Sequence, residues 1–402
     1  MKRLFTPLLV TAVIVGLLLA GCAQPAAEPE PTPSPAPSPA PSPAPTPSNA
    51  EILAELDSLY PSRLSGNPFE GLGTKPDGTT YTFGLTFALI YNPWMVMNIE
   101  TFEGYCDKAN IALTLHDANL MLEKQVADLE DMGTQGRDAI IIHPCDGEAL
   151  APTVDMLASK GIPVFVYNIT IPSDGVIGYS TFDNHAMGKA AGEWMADYFD
   201  AKGEHGYIYE CQGTYKMDEA IFRHEGFVEG VEGRSSVTLV AGTDCEWADE
   251  KCANAVMDAF PANPQLNAIM THGGMLKGAS EGLKSIGRLY PAGDPNHVPM
   301  ITIDENDSTC ELIRDGWASA VAMHDAWVQT DYTFKTACHS VILGNAIPKE
   351  VFLPTGVVTH EMIVADWERD IPTVWGLIML KGIDLKTLPV LDLTEYISTP
   401  TK

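Results

Sequence analysis

Basic residues are scarce in this 402-residue chain, with 24 Lys and Arg against 53 Asp and Glu and a formal charge of −29. Such a surface repels phosphate backbones and anionic lipid, which excludes nucleic acid as a partner and leaves neutral small ligands open. Paired metal-ligand motifs are missing too. There is no Cys-x-x-Cys and no His-Glu-x-x-His, and the 10 histidines fall at no metal-binding spacing, so no metal and no other cofactor is expected. No phosphate-binding glycine loop occurs, and no nucleophile stands beside a base at a recognised spacing. These absences argue against an enzyme.

The chain begins with an address. Lys2 and Arg3 precede an apolar run over residues 8–20, broken only by Thr11 and Gly16, which is shorter than the ~20 residues of a membrane span and built like a signal-peptide core. Leu19-Ala20-Gly21-Cys22 closes the run and resembles the lipobox of bacterial lipoproteins. The resemblance implies that residues 1–21 are a lipoprotein signal peptide. It also implies that acylated Cys22 ties an exported protein to the cell membrane, on the periplasmic or cell-surface side. Residues 22–49 then carry 11 prolines, from Pro25 to Pro47, alternating with small and acidic residues. Proline fixes φ and lacks an N–H, so residues 25–49 read as an extended spacer, roughly 75 Å long at about 3.1 Å per residue. A body on a tether suits a receptor outside the cell.

The remainder is ordinary for a globular protein, 45% hydrophobic and 19% charged, and long enough for two domains. Seven cysteines follow Cys22, an odd number that leaves at least one unpaired within the chain. Cys245 and Cys252 are the nearest in sequence and are the candidate disulfide; the alternative is that they are buried thiols.

From residue 81 short apolar runs alternate with helical patterns. Strands are expected at 81–90, 111–116, 138–143 and 163–168, with helices at 95–110, 120–134 and 147–160 between them. A second series begins at residue 183. It has helices at 184–201, 216–232, 249–260, 276–287, 308–315 and 327–344. Its strands fall at 206–211, 237–243, 267–272, 300–304 and 318–324, with late strands near 351 and at 359–365. Strands separated by helices of this length make parallel sheets, and two series make two doubly wound α/β lobes. Ligands of such folds sit at the carboxyl ends of the strands, so a cleft between the lobes is the expected site.

Several strand-end segments resemble ribose-type periplasmic binding proteins. They are Asn92-Pro93-Trp94-Met95, Gly161-Ile162-Pro163-Val164-Phe165-Val166-Tyr167-Asn168, Asp183-Asn184-His185-Ala186-Met187-Gly188-Lys189-Ala190-Ala191-Gly192, Arg223-His224-Glu225-Gly226-Phe227 and Ile303-Asp304. Their order and spacing hold over residues 81–366, and the chain is similar to type I substrate-binding lipoproteins of sugar ABC importers. The resemblance implies two lobes joined by three hinge crossovers that close on ligand. The N-terminal lobe would take residues 81–182 plus about 325–350, and the C-terminal lobe 183–324 plus about 351–366. Residues 50–80 form an N-terminal extension. Residues 367–402 form a C-terminal one, whose apolar run at 374–380 packs back onto a lobe.

The resemblance also implies roles. Asn92 matches a donor to sugar hydroxyls, Trp94 a stacking aromatic, Arg223 a forked donor to neighbouring hydroxyls, Trp247 a second aromatic wall, and Asp304 a carboxylate accepting two hydroxyl bonds. The alternatives are a turn residue at Asn92, core packing at Trp94, a loop aromatic clamped by a Cys245–Cys252 bridge at Trp247, a solvated helix residue at Arg223 and a helix cap at Asp304. The chain departs from the family at Asn168 (usually aspartate), Ile169 (often arginine), His272-Gly273 (commonly Asn-Asp) and Met323-His324 (commonly glutamine). Each lost charge-assisted bond is worth ~1.5–3 kcal/mol when buried. The pocket is therefore less charged than a ribose site, and His272 and His324 are either ligand contacts or satisfied strand-end histidines. The expected function is capture of a small polar ligand, a monosaccharide first, by a monomer that delivers it to an ABC transporter membrane permease. The alternatives are a nucleoside or other non-sugar ligand in the same fold, or an enzyme in the cleft. Gly188-x-x-x-Gly192 reads as close helix–strand packing.

Overall fold

The nearly continuous apolar runs become strands buried on both faces, Ala139–His143 followed by a helix and Val164–Tyr167 directly by a further strand. The computed structural model describes residues 71–90, 92–215, 217–389 and 391. The signal peptide, Cys22, the proline spacer and the extension up to residue 70 lie outside the described residues.

The first sheet is entirely parallel. Its order is β2 (Ala112–Asp117), β1 (Thr82–Phe87), β3 (Ala139–His143), β4 (Val164–Tyr167), β5 (Val176–Phe182) and β11 (Glu350–Leu353). The second runs β7 (Val237–Asp244), β6 (Gly206–Gln212), β8 (Ala268–Thr271), β9 (Met300–Ile303), β10 (Ala320–Ala322) and β12 (Val357–Thr359), parallel except for β10 with β12. Two doubly wound lobes result, as the strand–helix alternation requires. β5 had no counterpart in the pattern reading. The expected strand at 359–365 is mostly helix, α10 (His360–Trp367), because Ile363 and Asp366 are buried at a helical spacing of three.

The chain passes between lobes at Asp183, at 323–325 and at 354–356. The last point lies a few residues beyond the expected boundary near 350, since β11 still pairs with β5. A fourth passage is made by the C-terminal segment, which does not settle on one lobe. In α11 (Trp375–Leu380), Trp375 and Ile378 join the core of the first lobe, while Leu377 and the N-cap residue Val374 join that of the second. The helix sits so close that a Cβ on Gly376 would lie 1.9 Å from the Glu305 carbonyl oxygen.

Local signals fix the helices that matter to the site. Asn92 caps α1 (Pro93–Ala109) with Pro93 in the first turn, and Asn110 ends it in the left-handed region. Asp183 caps α4 (Asn184–Lys202) by accepting from Ala186 N. The Gly188/Gly192 pair packs helix on helix, not helix on strand as expected. A Cβ on Gly188 would lie 2.0 Å from the Arg223 carbonyl oxygen, and one on Gly226 2.0 Å from that of His185, both across the contact with α5 (Asp218–Val231). The missing side chains let α5 approach until Arg223 meets the start of α4.

Candidate functional site

Seven of the eight expected binding residues lie just past strand ends or on the helices that follow them, and they form one chain of contacts. His324, two residues beyond β10, is its centre. Its Nδ1 is 2.5 Å from Asp304 Oδ1 and its Nε2 3.3 Å from Asn168 Oδ1. Its carbonyl accepts from Trp94 Nε1 at 3.2 Å, and its ring stacks on the Trp94 indole with centroids 5.0 Å apart. One imidazole therefore touches a residue after β4 and one on α1 in the first lobe, and one after β9 in the second.

Asp304 passes the contact on. Its Oδ2 lies 3.8 Å from Arg223 Nη1. Burial alone would raise its carboxyl pKa, but the charges of His324 and Arg223 outweigh that and hold it below the usual range. Arg223 is only 3% exposed. Its Nε donates to Asn184 Oδ1 at 2.9 Å, and its guanidinium lies over the Trp247 ring, 5.6 Å from the centroid. A solvated helix residue would make none of these contacts.

Trp247 stands at φ +59°, a conformation costly for a bulky side chain, and Asp304 and Asn168 share the left-handed region at +72° and +59°. Such geometry persists where the surroundings over-determine it. The Trp247 ring is wedged between two glycines, since a Cβ on Gly213 would lie 2.2 Å from it and one on Gly273 2.6 Å.

His272 is fully buried beneath this wall. Its Nδ1 accepts from Gly213 N and its Nε2–H donates to Glu210 Oε1 at 3.0 Å, the arrangement of a neutral imidazole. Burial lowers its pKa against the pull of Glu210. Glu210 accepts two further bonds, from Gln212 Nε2 and His224 Nδ1, both 2.7 Å. Burial opposes its charge, yet the bonds from His224 and His272 hold it at about 2. His272 thus supports the wall and does not face the cleft through a free nitrogen. Asn92 touches the others only through the Trp94 backbone: its Oδ1 accepts from Trp94 N at 2.8 Å as a helix cap, and the residue is exposed.

Pattern reading missed Glu210, Asn184 and Glu305. Glu210 carries the clearest signal, a lone carboxylate in an apolar strand. Glu305 is wholly buried and accepts from His324 N at 2.8 Å; burial, and then Asp325, push its pKa far up.

A cleft of about 670 Å³ opens between the lobes, with Asn168, Ile169 and Thr181 on one side and Asn184, Met217 and Phe222 on the other. Asn168 leads inward to His324 and Asn184 to Arg223. Asn168 and Asn184 put amides on the lining itself, and behind them lie the Asp304 carboxylate, the Arg223 guanidinium and the Trp247 ring, groups that bind hydroxyls as acceptors and donors. Among the described residues of the site, no nucleophile is paired to a base.

The expected Cys245–Cys252 disulfide is not formed. Both are free thiols, beside the thiol of Cys211. The strand ends of β6 and β7 bring Cys211 and Cys245 together, a closeness that their separation in sequence hides.

The chain matches the periplasmic binding protein domain family over residues 83–344. It is 25% identical over 240 residues to the ribose import binding protein RbsB of Salmonella typhimurium, covering 60% of this chain and 77% of that one. It is 26% identical over 235 residues to the galactofuranose-binding protein YtfQ of Escherichia coli, covering 56% and 72%. The crystal structure of a galactofuranose binding protein superposes with a TM-score of 0.64 at 20% identity, covering 76% of this chain and 99% of that one.

Proposed function

The chain belongs to the periplasmic binding protein family, and from that premise we propose that it is an exported substrate-binding lipoprotein that takes a monosaccharide or related polyol between its lobes. Relatives named for ribose import and for galactofuranose binding support a sugar, and they are binding proteins, not enzymes. The observation that carries the reading is the convergence on Asp304. A carboxylate held ionised by His324 and Arg223 accepts from hydroxyls, while the side-chain amides of Asn168 and Asn184 close by donate to others.

The nucleoside alternative is weaker for a specific reason. Trp94 is buried with His324 on one face, which leaves the half-buried Trp247, one face of it under Arg223, as the aromatic wall, and a flat base has no second indole to sandwich it. One wall suits the single apolar face of a sugar ring. The three chain passages beside the cleft suit hinge closure, and a closed form would be selected by contacts from both lobes. The partner is then an ABC transporter permease, the protein works as a monomer, and the lipid on Cys22 keeps it at the membrane.

A thermal-shift panel of pentoses, hexoses, polyols, nucleosides and amino acids tests this. A ligand at 100 times its dissociation constant stabilises by ~2.7 kcal/mol, a shift of several degrees. Shifts confined to sugars or polyols are expected. Shifts confined to nucleosides or amino acids, or none in folded protein, contradict the reading.

A further inference from the structure

Behind the Trp247 wall three thiols meet. Cys211 lies at the end of β6, Cys245 just past β7, and Cys252 in the opening turn of α6 (Asp249–Ala262). Parallel pairing sets Cys211 opposite Thr243, and Cys245 N donates to Gln212 O at 2.9 Å, so the two strand ends deliver adjacent sulfurs. Cys252 N donates to Ala248 O at 3.0 Å, which turns the third sulfur back onto the pair. All three residues are fully buried, and their sulfurs lie within 4.8 Å of one another.

That triangle has the dimensions of a coordination site. Metal–sulfur bonds of about 2.3 Å hold ligand sulfurs roughly 4 Å apart, so an ion could enter with little movement of the backbone. No His, Asp or Glu among the described residues joins the three. An all-sulfur set selects soft cations, and harder ions such as Mg(II) and Ca(II) find no oxygen shell here.

We propose that Cys211, Cys245 and Cys252 bind a single thiophilic d10 cation, of the class of Cu(I), Zn(II) and Cd(II). Binding exchanges thiol protons for metal–sulfur bonds, with no change of oxidation state. The ion would join the ends of β6 and β7 to the start of α6. These three elements carry Gly213 and the loop that holds Trp247 in its unusual backbone geometry. Loading would therefore stiffen one wall of the ligand cleft, and the site stands whether or not the cleft takes a sugar.

The test is titration of the reduced full chain with Cd(II), read as thiolate-to-metal charge-transfer absorption. Saturation at one ion per chain is expected. The signal should vanish in Cys211→Ser/Cys245→Ser/Cys252→Ser and persist in Cys310→Ser, which alters a buried thiol elsewhere. X-ray absorption at the cadmium edge needs no variant and should find three sulfur neighbours, which keeps the test decisive if the triple variant does not fold. An oxygen- or nitrogen-only shell, no charge-transfer band in folded protein, or an undiminished band in the triple variant overturns the proposal. So does peptide mapping that finds two of the three sulfurs joined as a disulfide in freshly purified protein.

Discussion

The Trp94 indole and the His324 imidazole lie parallel, 12° between planes and 5.0 Å between centroids, and the indole N–H donates to the His324 carbonyl at 3.2 Å. This contact ties the first lobe to the strand end from which the chain crosses back. Trp94→Phe keeps a stacked ring and loses the hydrogen bond, a change of about 0.5–1.5 kcal/mol, so ligand affinity should fall about 3- to 10-fold. Trp94→Ala also leaves a cavity and should cost about 3–5 kcal/mol of stability. Calorimetric titration and urea unfolding read the two effects separately. Unchanged affinity in both variants would sink the role given to this stack.

Arg223 makes three contacts that only a guanidinium can make together, to Asn184, Asp304 and the face of Trp247. Arg223→Lys keeps the charge and loses the fork. Affinity is expected to drop about 10- to 100-fold, the loss of one or two charge-assisted bonds. Retention of wild-type affinity would mean that charge alone suffices.

Gly213→Ala places a methyl 2.2 Å from the Trp247 ring, which must move. Ligand affinity should fall at least about 10-fold, by loss of a ring contact worth ~1.5 kcal/mol, and tryptophan emission should shift. Gly136→Ala is the control: its Cβ meets open space at φ +67°, so it should lower stability and leave binding alone.

His143 is buried against Phe87 and Trp94, and burial lowers its pKa from 6.5 to about 4. The unfolded chain takes up a proton near pH 6.5 that the folded chain refuses until about pH 4. This contribution is complete above pH 6.5 and declines as pH falls through that window, by about 3 kcal/mol at ~1.4 per unit. Burial lowers the His272 pKa too, which acts in the same direction. Thermal melts from pH 7 to 4 should lose stability steadily, and His143→Phe should flatten part of the slope. An unaltered slope would place the titration elsewhere.

The lobes were legible because parallel strands such as Ile140–Ile142 and Val164–Val166 read as apolar runs, and strand ends could then be searched for polar residues. Trp94, Asn168, Arg223, Trp247, His272, Asp304 and His324 came from the resemblance to ribose-type binding proteins and the departures from it; the fold brings them together, with His272 bracing Trp247 from behind. Contacts between strands distant in sequence stayed hidden. Nothing near Glu210 announces His272 or His224, which reach it from β8 and α5. The cysteine pair was misjudged because sequence proximity favoured Cys245 with Cys252, whereas sheet order adds Cys211. The seating of α11 across both lobes also depends on tertiary packing, through Gly376 against Glu305.

The most direct test of the account is calorimetric titration of the full chain with the sugar or polyol that gives the largest thermal shift, repeated on Asp304→Asn. One site per chain is predicted. Affinity should fall about 10- to 100-fold in the variant, because the substitution removes the charge that Arg223 and His324 hold in place. Binding of equal strength in both proteins would contradict the placement of the ligand at Asp304 and with it the central claim.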